Sequence, residues 1–133
     1  MNGKQRIAFR CLFFFYVAVL LFLCFGKFDG APKVSPVLLG IPTDKLVHFC
    51  LFFPFPVLAF LAFDQFTNTW RSSLFFTLAT LATGCLLALG TEWGQAHLTD
   101  YRSGDPNDFL ADLIALTLSS ILVFIWDIRK QRK

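Results

Sequence analysis

Four stretches of this chain are nearly free of charge: Cys11 to Gly26, Leu46 to Phe63, Ser72 to Thr91 and Leu113 to Trp126. Polar residues are crowded into the segments between them. A helix rises ~1.5 Å per residue, so each stretch is long enough, or nearly so, to cross ~30 Å of hydrocarbon. The first gains length from Ile7 to Phe9, with Arg10 and Lys27 reaching toward the headgroups. The fourth lengthens only by taking in Asp108 and Asp112, two carboxylates inside an apolar helix. With these flanks the pattern predicts helices at about 8–26, 45–64, 72–96 and 106–126.

Composition agrees with a membrane protein. The sequence is 56% hydrophobic, with eighteen phenylalanines and a mean hydropathy of +0.60, well above the apolar share of a soluble domain. Lys4 and Arg6 before an apolar run also fit a secretory signal, but no small-x-small cleavage site follows, so a retained first helix is expected. Cys11, Cys24, Cys50 and Cys85 lie in apolar runs at no metal-ligand spacing and read as packing residues. Palmitoylation of Cys11, near the start of the first helix, is the functional counterpart.

Charge sets the orientation. Lys4, Arg6, Arg10, Arg71, Arg129, Lys130, Arg132 and Lys133 fall at one level of a four-helix arrangement, against Lys27, Lys33, Lys45 and Arg102 at the other. Positive residues stay inside, which predicts both termini in the cytoplasm. Trp70, Trp93, Tyr101 and Trp126 stand where interfacial aromatics belong. The longest polar connection, Lys27 to Asp44, is too short for another domain, so residues 1–133 are expected to form one all-α integral membrane four-helix bundle.

Five of the nine acids lie between Thr91 and Asp112. Under this topology Asp44, Lys45, His48, Glu92, Gln95, Arg102, Asp105, Asp108 and Asp112 all reach the outer level. Glu92 and Gln95, three apart, share a helix face with Thr77, Thr80, Gly84, Ala88 and Thr91, a stripe of small residues that lets a neighbouring helix approach. Asp105, Asp108 and Asp112 recur at i, i+3 and i+7 on the fourth helix. For the first two, Asp105-Pro106-Asn107-Asp108 also reads as an N-cap, a proline at the first helical position and a first-turn acid. Asp112 lies beyond cap reach, and an intramembrane carboxylate points to function or a buried ion pair. Arg102 is its natural partner, through two hydrogen bonds from one guanidinium.

On the second helix, Asp44 reads as an N-cap and Lys45 as a snorkelling anchor, or both as site residues. His48, one turn inside an apolar helix, is a base, a ligand or a hydrogen-bonded strut. His97, about 140° round from Glu92, reads as interfacial. Pro54 and Pro56 are expected to kink or unwind the second helix and free carbonyls for other partners.

Two motifs, Asp44-Lys45-x-x-His48-Phe49 and Glu92-x-x-Gln95 followed by Arg102-x-x-Asp105-x-x-Asp108-x-x-Ala111, resemble the VanZ-like membrane proteins. The resemblance runs from the first helix to the fourth. It departs from the family at Asp112, Ala115 and Phe52, where asparagine, glycine and tyrosine are frequent. It implies a multi-pass protein of the bacterial cytoplasmic membrane, in the cell envelope, with an occasional link to glycopeptide antibiotic resistance. It supplies no substrate or cofactor.

The leading expectation is an outward-facing site that engages a polar or anionic head group, such as that of a lipid-linked envelope precursor, with the bilayer as the other partner and no nucleic acid. Lys45 and Arg102 would hold the anionic group. A metal-assisted intramembrane hydrolase or transferase is the alternative, with His48 or Glu92 as base and a divalent ion on Asp105, Asp108 or Asp112. No nucleophile elbow, HExxH or phosphate loop accompanies it. A small proton-coupled transporter is a third, although Glu92 lies at a helix end and not at the midplane.

Overall fold

A computed structural model describes residues 2–27, 37–102 and 104–132. Helix α1 runs Gly3–Phe25, α2 Thr43–Phe52, α3 Pro54–Phe63, α4 Trp70–Leu98 and α5 Pro106–Gln131. Four helical spans, with α2 and α3 continuous as one, are long and apolar enough to cross a membrane. Lys33 and Lys133, counted above in the charge balance, lie outside the described residues.

The ends of these helices follow from local chemistry. Helix α1 starts five residues earlier than its apolar run suggests, because Asn2 and Gln5 close a reciprocal capping box on Gly3-Lys4-Gln5. Thr69 and Ser72 do the same for α4. Asp105 caps α5 through the Asn107 amide at 2.9 Å, with Pro106 at the first helical position.

The second span, expected as one helix kinked or unwound at Pro54 and Pro56, is divided there into two helices. Pro54 and Pro56 cannot donate backbone hydrogen bonds, and the regular ladder stops at Phe53. The Tyr16 hydroxyl donates to the Leu51 carbonyl in this stretch, so α1 supplies a partner at the break. A short 3-10 turn, Asp64–Phe66, closes the span. The sequence pattern also gave no sign of the hairpin before α2, where β1 (Val37–Leu38) pairs antiparallel with β2 (Ile41–Pro42). Its tip, Leu39 and Gly40, has φ of 54° and 79°, the left-handed backbone of a tight two-residue turn.

Helix α5 is the spine: α4 lies along it, and α2 and α3 pack against it, while α1 packs chiefly on α3. Leu20, Cys24, Phe52, Phe55, Ala88, Ala115 and Leu116 form the buried apolar cluster. The small-residue stripe on α4 does face inward: Gly84 and Ala88 are buried, and a Cβ at Gly84 would stand 2.6 Å from Leu116 Cδ2. The exterior is apolar instead, with Phe15 67%, Phe75 75% and Leu86 70% exposed. Polar groups inside and phenylalanines outside suit lipid as solvent.

The described chain starts and finishes at the same end of the bundle. There Arg6 pairs with Asp64 at 3.2 Å, and buried Asp127 accepts from Ser73 at 2.5 Å and from Gln131 at 3.0 Å. None of this second polar clamp stands out from the sequence pattern except Asp127, whose spacing from Asp112 continues one α5 face through buried Ser119 and Ser120.

Candidate functional site

At the opposite end, three helix termini converge: the start of α2, the end of α4 and the start of α5. His48 lies one turn into α2 and is 5% exposed. Its Nδ1 stands 3.1 Å and 3.3 Å from the two oxygens of Asp112, which is fully buried two turns into α5. Glu92 Oε1, from α4, is 3.7 Å from the same ring nitrogen, and Asp108 Oδ2 is 3.6 Å from Nε2. Three carboxylates from α4 and α5 thus surround the imidazole that α2 supplies.

Lys45 organises the rim of this cluster. Its ammonium donates to Asp44 at 2.8 Å, Asp105 at 2.5 Å and Asp108 at 2.5 Å. These bonds join the first turn of α2 to the first turn of α5. Lys45 therefore does not snorkel outward as an anchor, since three carboxylates offer its charge a closer partner than the headgroups do. Asp44 is not the cap of α2 either: the helix begins one residue earlier, Pro42 holds the cap position without a side-chain bond, and Asp44 sits exposed in the first turn. Asp105 is both cap and site residue, because its two oxygens divide between Asn107 and Lys45. The Lys45 hydrogen bond holds its carboxyl below the usual aspartate range, with the Asn107 amide adding to the effect.

Glu92 is placed by the loop that follows α4. Its Oε2 accepts the Asp105 backbone N–H at 3.0 Å. Gly104 makes that approach possible, because a Cβ there would stand 2.9 Å from the Glu92 carbonyl oxygen, a backbone atom that cannot turn aside. Oε1 is buried and has no hydrogen-bond partner among the described residues.

Arg102 and Gln95 go elsewhere. Among the described residues no carboxylate lies within ion-pair distance of Arg102, and its guanidinium donates to the Leu23 carbonyl at 3.4 Å. Gln95 Nε2 donates to the Cys24 carbonyl at 2.8 Å and the Tyr101 hydroxyl to the Phe25 carbonyl at 2.6 Å. Three consecutive carbonyls at the end of α1, which its own helix leaves unpaired, thus receive side chains from α4 and its loop. The expected clamp between Arg102 and Asp112 is corrected accordingly: orphan carbonyls at the negative end of a helix compete for a guanidinium, and His48 holds Asp112 instead.

His97 is exposed, stacked on Trp93 with ring centres 4.8 Å apart and bonded to the Trp93 carbonyl, clear of the cluster. The four cysteines are free and lie at separate positions on the bundle.

Beside the cluster a groove of about 500 Å³ runs between α2 and α5. Ile41, Leu46, Phe49, Leu110 and Ile114 give it apolar walls, and Lys45 lines it too. An apolar channel and a buried acidic centre therefore share one residue. Comparisons with protein-family models, with curated proteins and with solved structures find no match to this chain.

Proposed function

We propose that this is a multi-pass protein of the bacterial cytoplasmic membrane, with both termini in the cytoplasm, that engages the head group of a lipid-linked envelope precursor on the outer side. The groove carries the reading. Its apolar length suits a lipid chain, and it meets the polar cluster at Lys45, so an amphiphile lying along α2 and α5 would bring its head to His48 and the acids. The basic residues at the other end support the orientation. The resemblance to VanZ-like proteins extends the proposal to glycopeptide resistance.

Recognition differs from the simple anion clamp expected from sequence. Lys45 is already shared by three carboxylates and Arg102 is engaged with α1, so hydroxyl and amine groups of a head would meet acceptors on Asp105 and Asp108. The hydrolase or transferase reading is favoured by one observation. Asp112 is placed to orient the His48 ring, the relation a general base needs.

The test is photo-crosslinking in bacterial membranes from a benzophenone side chain placed at Leu110, with the attached lipid identified by mass spectrometry. Polyprenyl-linked species should be enriched and lost on Ala111→Trp, which fills the groove. Recovery of bulk phospholipids alone, in their membrane proportions, overturns the proposal.

A further inference from the structure

We propose that His48, Glu92 and Asp108 bind one divalent transition-metal ion, of the zinc or manganese class. One ligand atom from each lies within 4.8 Å of the other two, and all three residues are buried. The independent observation is Glu92 Oε1: its side chain is only 9% exposed, and among the described residues this oxygen has no hydrogen-bond partner, although it lies 3.7 Å from the imidazole. A buried carboxylate oxygen left unpaired is costly, and an ion between it and the ring removes that cost.

Each residue divides its two polar atoms in the same way. Asp108 gives Oδ1 to Lys45 and keeps Oδ2, and Glu92 gives Oε2 to the Asp105 amide and keeps Oε1. His48 Nδ1 meets Asp112, which leaves Nε2 its lone pair. A carboxylate behind a ligating histidine fixes the tautomer and aims the ring, as Asp112 does here. Nε2 and Asp108 Oδ2 stand 3.6 Å apart, too far for a hydrogen bond, while Glu92 Oε1 lies 3.7 Å from Nδ1 on the same ring. Two ligands each ~2.1 Å from a tetrahedral ion stand ~3.4 Å apart, close to the spacing of Nε2 and Asp108 Oδ2, and a ligand atom from each of the three residues lies within 4.8 Å of the other two.

The donor set selects the metal. One imidazole with two carboxylates suits zinc or manganese, whereas magnesium and calcium prefer oxygen alone. Three protein ligands leave a coordination position open. The second acidic group, Asp44, Asp105 and Asp108, already has its cation in the Lys45 ammonium. This inference deepens the head-group reading of the same site, because an open metal position would accept a phosphate oxygen that the acids alone repel. It is tested without lipid, so the two readings fail separately.

Chelator-treated protein in detergent is titrated with zinc and with manganese, and bound metal is counted by mass spectrometry. One equivalent per chain should bind. Glu92→Gln and His48→Gln should abolish saturable binding, Asp112→Asn should weaken it roughly 10–100-fold, and Asp44→Asn should leave it unchanged. Circular dichroism and gel filtration check that each variant folds. If one does not, cobalt absorption and X-ray absorption on the unaltered protein report whether one nitrogen and carboxylate oxygens ligate. No saturable binding, binding that survives Glu92→Gln, binding lost on Asp44→Asn, or an all-oxygen shell each overturns the proposal.

Discussion

His48 on α2 and Asp112 on α5, 64 residues apart in sequence, meet with Nδ1 3.1 Å from a carboxylate oxygen and are both buried. The contact ties two helices together below the ion pairs of Lys45. Removing the imidazole leaves Asp112 uncompensated, so in chelator-treated protein His48→Leu should lower the unfolding free energy by about 3–5 kcal/mol. His48→Leu combined with Asp112→Leu should cost well under the sum of the single changes. Additive losses in a double-mutant cycle would show that the two side chains do not act as a pair.

Gly84 and Gly90 provide a matched comparison on α4. A Cβ at Gly84 collides with Leu116, whereas one at Gly90 meets nothing within 4 Å among the described residues. Gly84→Ala should destabilise by about 1–3 kcal/mol through overpacking. Gly90→Ala should stabilise by about 0.5–1 kcal/mol through helix propensity. Thermal unfolding in micelles measures both, and equal responses would mean that the α4–α5 approach at Gly84 is looser than described.

Asp105 should make stability depend on acid. Its folded carboxyl titrates below the ordinary value because Lys45 donates to it. The stabilisation is therefore full above the unfolded value of ~3.9 and is lost as pH falls through the lower folded one. Asp105→Asn keeps a capping side chain, so its Tm should lie below that of the unaltered protein at neutral pH and converge with it on acidification. A gap that widened in acid would remove Lys45 as the stabilising partner.

Reporter fusions after Lys133 and between Lys27 and Lys33 should report opposite sides of the membrane, the first cytoplasmic. The same compartment for both would overturn the four-span topology.

How far the sequence could be read depended on whether a residue's reason was local. Pro54 advertises a break because a missing N–H is a property of the residue itself, and His48 and Asp112 advertise a site because a polar group in a greasy helix needs company. Arg102 misled, since acids are visible in a sequence while unpaired helix carbonyls are not. The start of α1 and the Leu39-Gly40 hairpin rest on caps and turns that hydropathy does not register. Glu92 was legible as an inward acid, but its division between a backbone amide and an unpartnered oxygen required the path of the loop through Gly104.

The carbonyls of Leu23, Cys24 and Phe25 receive their donors from residues 71 to 79 positions later in the chain. At ribosomal speeds of ~5–20 residues per second, that separation is a wait on the order of several seconds. The first helix thus leaves the ribosome with its far end unfinished, and water or headgroups must serve those carbonyls until the third span and its loop arrive. Synthesis order therefore makes α1 the earliest of the four spans and leaves it unfastened at that end until residues 95 to 102 have emerged.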